Sequence, residues 1–129
     1  MKPQTSAFLV KSGEALDDAH KSFEAGMPGQ AARLAYLAAF HAAQALIMEV
    51  TSKAAKTHKG VHAKFAELAR VHGIDRSHTR FLSAAYHFKE AADYETGDLR
   101  IVSAVDAQLA LETAREFVAC IQPLLETSQ

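Results

Sequence analysis

This sequence is poor in the features that usually announce a function. It has one cysteine, Cys120, which excludes an intramolecular disulfide; lying in an apolar helical run, it is expected as a buried thiol in a reducing cytoplasm. Lys and Arg total 14 against 15 Asp and Glu, so no net basic field advertises nucleic acid or a membrane surface, and only a local basic patch stays open. The opening residues, MKPQTSAFLVKSGEAL, contain no long apolar core, so no signal peptide is expected and the protein is placed in the cytoplasm. No segment alternates apolar and polar residues as a half-buried strand does, and there is no internal repeat or low-complexity run. A Gly-rich phosphate loop and a Ser-His-Asp signature are both missing, which removes the standard enzyme motifs.

What is present is helical. From Gln30 to Val50 the chain reads QAARLAYLAAFHAAQALIMEV, apolar at nearly every position and free of glycine and proline. A helix apolar almost all round belongs in the middle of a bundle, because burying one face would leave a broad hydrophobic surface in water. At 100° per residue Ala31, Ala35, Ala38, Ala42 and Ala45 form one small-residue strip, suited to a closely packed neighbour. Arg33, Tyr36, Leu37, Phe40, His41 and Gln44 gather on the other side, a stripe that puts the large and polar groups together. Arg33, His41, Gln44 and Glu49 interrupt the segment, and alanine supplies little hydrophobic drive, so no membrane span is expected.

Around this rod the pattern predicts four further helices. Ser6 to Ala25 has Phe8, Ser12, Ala15, Leu16, Ala19 and Phe23 on its inner face, and the Gly26-Met-Pro28-Gly turn folds the next helix back antiparallel. TSKAAKTHKG reads as a loop or frayed extension before a short helix from about Val61 to Val71, ended by Gly73. Asp75 or Ser77 caps a helix to about Tyr94 with Phe81, Ala85, Phe88 and Ala92 as its core face and Leu82 alongside. After a turn at ETGDLR, Ser103 and Asp106 resemble a capping box, Val105, Leu109, Phe117, Cys120, Ile121 and Leu124 supply an apolar stripe, and Pro123 limits the end. The expected fold is all-α: a single domain over residues 1–129, an antiparallel up-and-down helical bundle of four main helices plus one short helix.

Of the seven histidines, only His58 and His62 have ligand spacing, and Lys59 stands where a zinc protease motif has Glu, so no metal and no cofactor is expected. Arg80, His87 and Tyr94 recur at seven-residue intervals on one stripe. An Arg and a His on one surface can clamp a phosphate and move a proton, the minimum equipment for metal-free RNA cleavage. Two helical turns, roughly 10 Å, separate them, so both reach one phosphodiester only if Arg80 extends or a second subunit contributes. Lys89 and Asp93 have the spacing of a surface ion pair.

Taken in order, AARLAYLAAFHAAQALI, KTHKGVHAKF, AADYETG and the run from Val102 through AREFVACI resemble a bacterial branch of the HEPN family, the "higher eukaryotes and prokaryotes nucleotide-binding" domains. The most specific pieces are Arg33, Tyr36, Phe40 and His41, the step Thr57-His58-Lys59-Gly60, and the triplet Ala92-Asp93-Tyr94. The resemblance implies an HEPN-like helical bundle, commonly a homodimer, often produced beside a minimal nucleotidyltransferase in toxin–antitoxin pairs. Members that are ribonucleases use an Arg, four to six intervening residues and a His, brought together across the dimer, and many carry a Tyr two residues after the His that the partner modifies with AMP. With Tyr94 matched to that Tyr, the His position falls on Ala92 and the Arg position on His87. Lys89 stands where this branch usually has an Arg, keeping charge but losing the bidentate fork. The resemblance with these departures implies a non-catalytic partner or binding module, with Arg33, Tyr36, His41, His58, Lys89, Asp93 and Tyr94 as nucleotide- or partner-binding candidates. The alternative is a metal-independent ribonuclease using Arg80 and His87 across a dimer interface, with RNA as ligand. A blander possibility is a recognition domain whose Arg33/His41 stripe and His58 line a polar groove.

Overall fold

The computed structural model describes the backbone of residues 1–94 and 102–126 and the side chains of residues 1–87 and 102–126. Five helices follow one another: α1 (Pro3–Glu24), α2 (Pro28–Thr51), α3 (His58–His72), α4 (Arg76–Tyr94) and α5 (Ala104–Glu126). No strand occurs among the described residues, in agreement with the expected all-α bundle.

α2 is the centre, packed against each of the other four helices. Its alanine strip meets the small residues of α1: Ser12, Ala15 and Ala19 are buried on one side, Ala31, Ala35, Ala38, Ala42 and Ala45 fully so on the other. Small side chains on both helices let the backbones approach closely. The approach is close enough for Ser12 Oγ to donate to the α2 backbone carbonyl of Ala38 at 2.8 Å. The hairpin is antiparallel because the start of α1 is tied to the end of α2. Glu49, 6 % exposed, accepts from the Lys2 backbone N–H at 3.0 Å and the Thr5 hydroxyl at 2.9 Å, and the Lys2 ammonium donates to the Glu49 carbonyl. Gly26, at φ +77°, makes the intervening turn, and Pro28 opens α2 where a missing N–H costs nothing. The opposite side of the core centres on Phe117 of α5, whose ring meets Phe65 of α3 at 5.1 Å and His78 and Phe81 of α4 at 5.6 and 6.4 Å.

The helix ends follow their local chemistry, with three departures from the sequence pattern. α3 begins at His58 and not near Val61, because the Thr57 side chain accepts the Gly60 N–H at 3.0 Å and caps the helix a turn earlier. A Cβ at Gly60 would lie 2.8 Å from that capping oxygen, which accounts for glycine there. Pro123 does not end α5: the helix runs on to Glu126, and Leu125, fully buried, holds the final turn in place. Val105 and Leu109, expected in the apolar stripe of α5, are 72 % and 61 % exposed, since the buried line runs through Ala107, Ala110, Leu111, Ala114, Phe117, Val118 and Ile121 on the opposite face. The other caps are as the sequence suggests: Asp75 Oδ1 accepts from the Ser77 N–H at 2.8 Å, Ser103 Oγ from the Asp106 N–H at 3.0 Å, and Gly73 closes α3 at φ +68°. Phe88, Ala92 and the ETGDLR turn lie outside the residues described in full.

The Glu49 clasp has a pH signature. The Lys2 N–H is the largest cause holding its carboxyl below the usual 4.5, with the Thr5 hydroxyl adding to it against burial. A carboxyl with a depressed folded pKa contributes stability above its unfolded value that is lost as pH falls through the folded one. Glu49→Gln, which keeps the acceptor and drops the charge, is therefore expected to flatten the loss of stability below pH 4.5, read by urea unfolding across that range; an unchanged acid limb would remove the clasp from the account of stability.

Candidate functional site

Where α2, α3 and α4 meet, four ring residues and a phenylalanine form a cluster around one hydroxyl. Tyr36, fully buried on α2, places its OH 2.6 Å from His58 Nδ1 and 3.0 Å from His62 Nε2. The phenol has one proton, so one imidazole nitrogen accepts from it and the other donates to it. Successive turns of α3 bring the two histidines to the same oxygen, which makes their four-residue spacing a clamp on a tyrosine. Phe40 lies 4.6 Å from the His58 ring, and Tyr86 of α4 closes the cluster at 4.9 Å from His58 and 5.6 Å from His62, edge-on at 89°. Burial, followed by the charge of His58, holds the His62 imidazole below its usual 6.5 and so keeps it neutral near pH 7.

Chemically this is a proton-sharing node: phenol and two imidazoles in hydrogen-bond contact can pass a proton from His58 to His62 without moving heavy atoms. Tyr36 itself has no surface, so any effect it has on a ligand runs through the half-buried histidines or Tyr86. The facing nitrogens of His58 and His62 are already engaged with that hydroxyl, and no group of three potential metal-binding side chains occurs among the described residues.

The candidates chosen from the sequence separate into groups. Tyr36 and His58 come together, with Phe40 between them and His41. His41 turns the other way: its Nδ1 donates to Gln44 Oε1 at 2.8 Å, and Gln44 Nε2 donates to the Ala55 carbonyl at 2.9 Å, so this pair fastens the α2–α3 connection to the core. Burial is the main cause lowering the His41 pKa. Arg33 is half-buried one turn before Tyr36. Arg80 and His87 are exposed on α4; among the described residues Arg80 makes no hydrogen bond or ion pair, and His87 makes only a ring contact with Tyr86 at 6.4 Å. The side chains of Lys89, Asp93 and Tyr94 lie outside the described residues. His62 and Tyr86 belong to the cluster without having been singled out as binding residues. Tyr86 follows the buried Leu82 by four residues and Ala85 by one, which puts it at the margin of the α4 core face, a position that periodicity alone indicates.

A small all-α bundle with a buried central helix and a polar ring cluster at one helix junction is the class the fold and site define. The pattern of the HEPN domain matches residues 5–124, and a UPF0332 protein of Archaeoglobus fulgidus is 30% identical over 115 residues, covering 85% of this chain and 91% of that protein. The chain belongs to the HEPN domain family.

Two measurements test the cluster. Tyr36→Phe keeps the ring and leaves two buried imidazole nitrogens unpaired, so a loss of about 1–3 kcal/mol in urea unfolding is expected; wild-type stability would show that water substitutes for the hydroxyl. Because the folded pKa of His62 is depressed, its contribution is full above pH 6.5 and is lost as pH falls below that value. The wild type should weaken between neutral and mildly acid pH, and His62→Gln should make that slope shallower, with the part due to His41 remaining.

Proposed function

We propose that this chain is a non-catalytic HEPN module, a homodimeric cytoplasmic protein that serves as the binding partner of a minimal nucleotidyltransferase in a toxin–antitoxin or related paired system. The observation that carries this reading is the condition of the Arg80 and His87 pair. They stand exposed on α4 with six residues between them, which meets the spacing of nuclease members only loosely and earlier in the helix than Tyr94 would place it, and among the described residues Arg80 makes no hydrogen bond or ion pair. A phosphate clamp and a proton-transfer base work only when held within about 0.5 Å of their productive positions. The organised polar groups of the molecule are elsewhere, in the Tyr36, His58 and His62 node, and their hydroxyl is sealed in the core. The absence of an Arg and a His at positions 87 and 92, where nuclease members would carry them if Tyr94 is the aligned tyrosine, supports the same conclusion. In this reading Arg33, His58 and Tyr86 form the nucleotide- or partner-facing rim of the node, and Lys89, Asp93 and Tyr94 are further candidates from the sequence.

Expressed without a partner, the protein is expected to leave growth and cellular RNA intact, and to do so equally as Arg80→Ala and His87→Ala. Co-expressed with a nucleotidyltransferase from the adjacent reading frame, it should co-purify with it as a complex containing two copies of this chain, measured by light scattering. Growth arrest or RNA breakdown that disappears in Arg80→Ala or His87→Ala, and persists with a chelator, would replace this reading with the metal-independent ribonuclease.

A further inference from the structure

The overall charge conceals a local imbalance. From Val50 through Ala66 there are four lysines, two histidines and no Asp or Glu. This segment is the α2–α3 connection and the first half of α3. The carboxylates that bracket it are both occupied: Glu49 is buried by Lys2 and Thr5, and Glu67 pairs with Lys64 at 3.2 Å. Lys11 of α1 adds a further positive charge alongside. Among the described residues Lys11, Lys53, Lys56 and Lys59 enter no ion pair.

The connection is held in one shape. The Thr51 hydroxyl donates to the Ile47 carbonyl at 2.7 Å and accepts the Lys53 N–H at 3.1 Å; Gln44 fixes Ala55; the Thr57 cap anchors the start of α3. Two hollows flank Ala54 as a result. One, about 320 Å³, is lined by Ile47, Thr51, Lys53, Ala54, Ala55 and Lys64. The other, about 240 Å³, has Phe8, Met48, Ala54, Lys11 and Lys56 in its lining beside Gln4 and Ala7.

We infer that this face is the docking surface for an acidic, amphipathic segment of a partner protein, which seats one apolar side chain in each hollow and sets its carboxylates against the lysines. The identity of the partner rests on the module reading above; the surface goes beyond it. Charge complementarity fixes the sign of the occupant, and the apolar linings fix its type. A nucleic acid strand would be served by exposed aromatic platforms and arginine forks in a net-basic chain; here the cations are lysines, Phe8 is half-buried, and the formal net charge is −1. Hollows lined by lysines together with apolar side chains instead suit a protein interface, where apolar anchors and charges are both engaged.

The test is fluorescence anisotropy of the full chain with a labelled peptide of Glu and Asp carrying two Leu, at low salt. Lys53→Glu with Lys56→Glu should weaken binding about tenfold or more, since both attractions become repulsions. Lys21→Glu with Arg70→Glu, the same change in net charge on α1 and the far end of α3, should stay within about twofold. Ala54→Phe, which alters no charge and fills the space between the hollows, should also weaken binding, and so should exchanging both peptide leucines for serine. Circular dichroism and urea unfolding confirm that each variant is folded. Equal binding by the serine peptide, tighter binding of a single-stranded RNA of matched charge, or unchanged binding by the Lys53/Lys56 variant would each overturn the inference. The two readings fail separately: a nucleotidyltransferase complex that survives the Lys53/Lys56 reversal removes the surface and keeps the module, whereas the expected peptide behaviour with no complex formed by the wild type removes the module and keeps the surface.

Discussion

The nearly complete burial of α2 is the constraint on which the rest of the structure depends. Of its 24 residues 15 are buried, and among these only Tyr36, Gln44 and Glu49 are polar. Packing alone holds such a rod in place without fixing its register, because a run of alanines looks much the same after a shift of one turn. The three polar groups supply the register. Each is satisfied by a different element: Glu49 by the first turn of α1, Gln44 by the α2–α3 connection, and Tyr36 by the two histidines of α3. An unpaired buried polar group costs about 1–3 kcal/mol, so sliding any neighbour along the rod is penalised at once by the clasp it would break.

This division of labour gives the histidines different partners. His41 and His58 are both half-buried and both near Phe40, yet the first spends its bonding on Gln44 and the second on Tyr36. His58 shares that hydroxyl with His62, the second histidine of α3. The family to which the chain belongs includes ribonucleases; among the described residues Arg80 makes no hydrogen bond or ion pair.

Much of the fold was legible in the sequence because periodicity and caps act locally. The alanine strip, the glycine stops at Gly26 and Gly73, and the Ser103 cap each determine their own few residues. Of the three departures, the early start of α3 rests on the local Thr57 cap, and the other two depended on something distant. Pro123 removes one backbone donor, but Leu125 packs in the core and carries the helix past it. Val105 and Leu109 are spaced to suggest an inner face, and the choice between them and the alanine line was made by which stripe α2 could approach closely. The cluster was half legible. Tyr36 stood out by its place on the α2 stripe and His58 and His62 by their spacing, but no pattern within α2 or α3 says that the tyrosine bridges the histidines, since that requires the crossing of two helices. His41 shared a stripe with Tyr36 in the helical projection, and the bundle sends the two to opposite sides of Phe40.

α2 also has the length and mean hydropathy, 1.3 over its most apolar window, of a bilayer-crossing helix, and 72% of that window is hidden in the folded chain. That concealment needs the other four helices, each of which packs against α2. Of these, α1 is joined to it by the short turn at Gly26, and the Ser12 and Thr5 contacts hold it along the alanine strip and at the far end of α2. The hairpin therefore hides part of a span-like segment within one local unit of the chain.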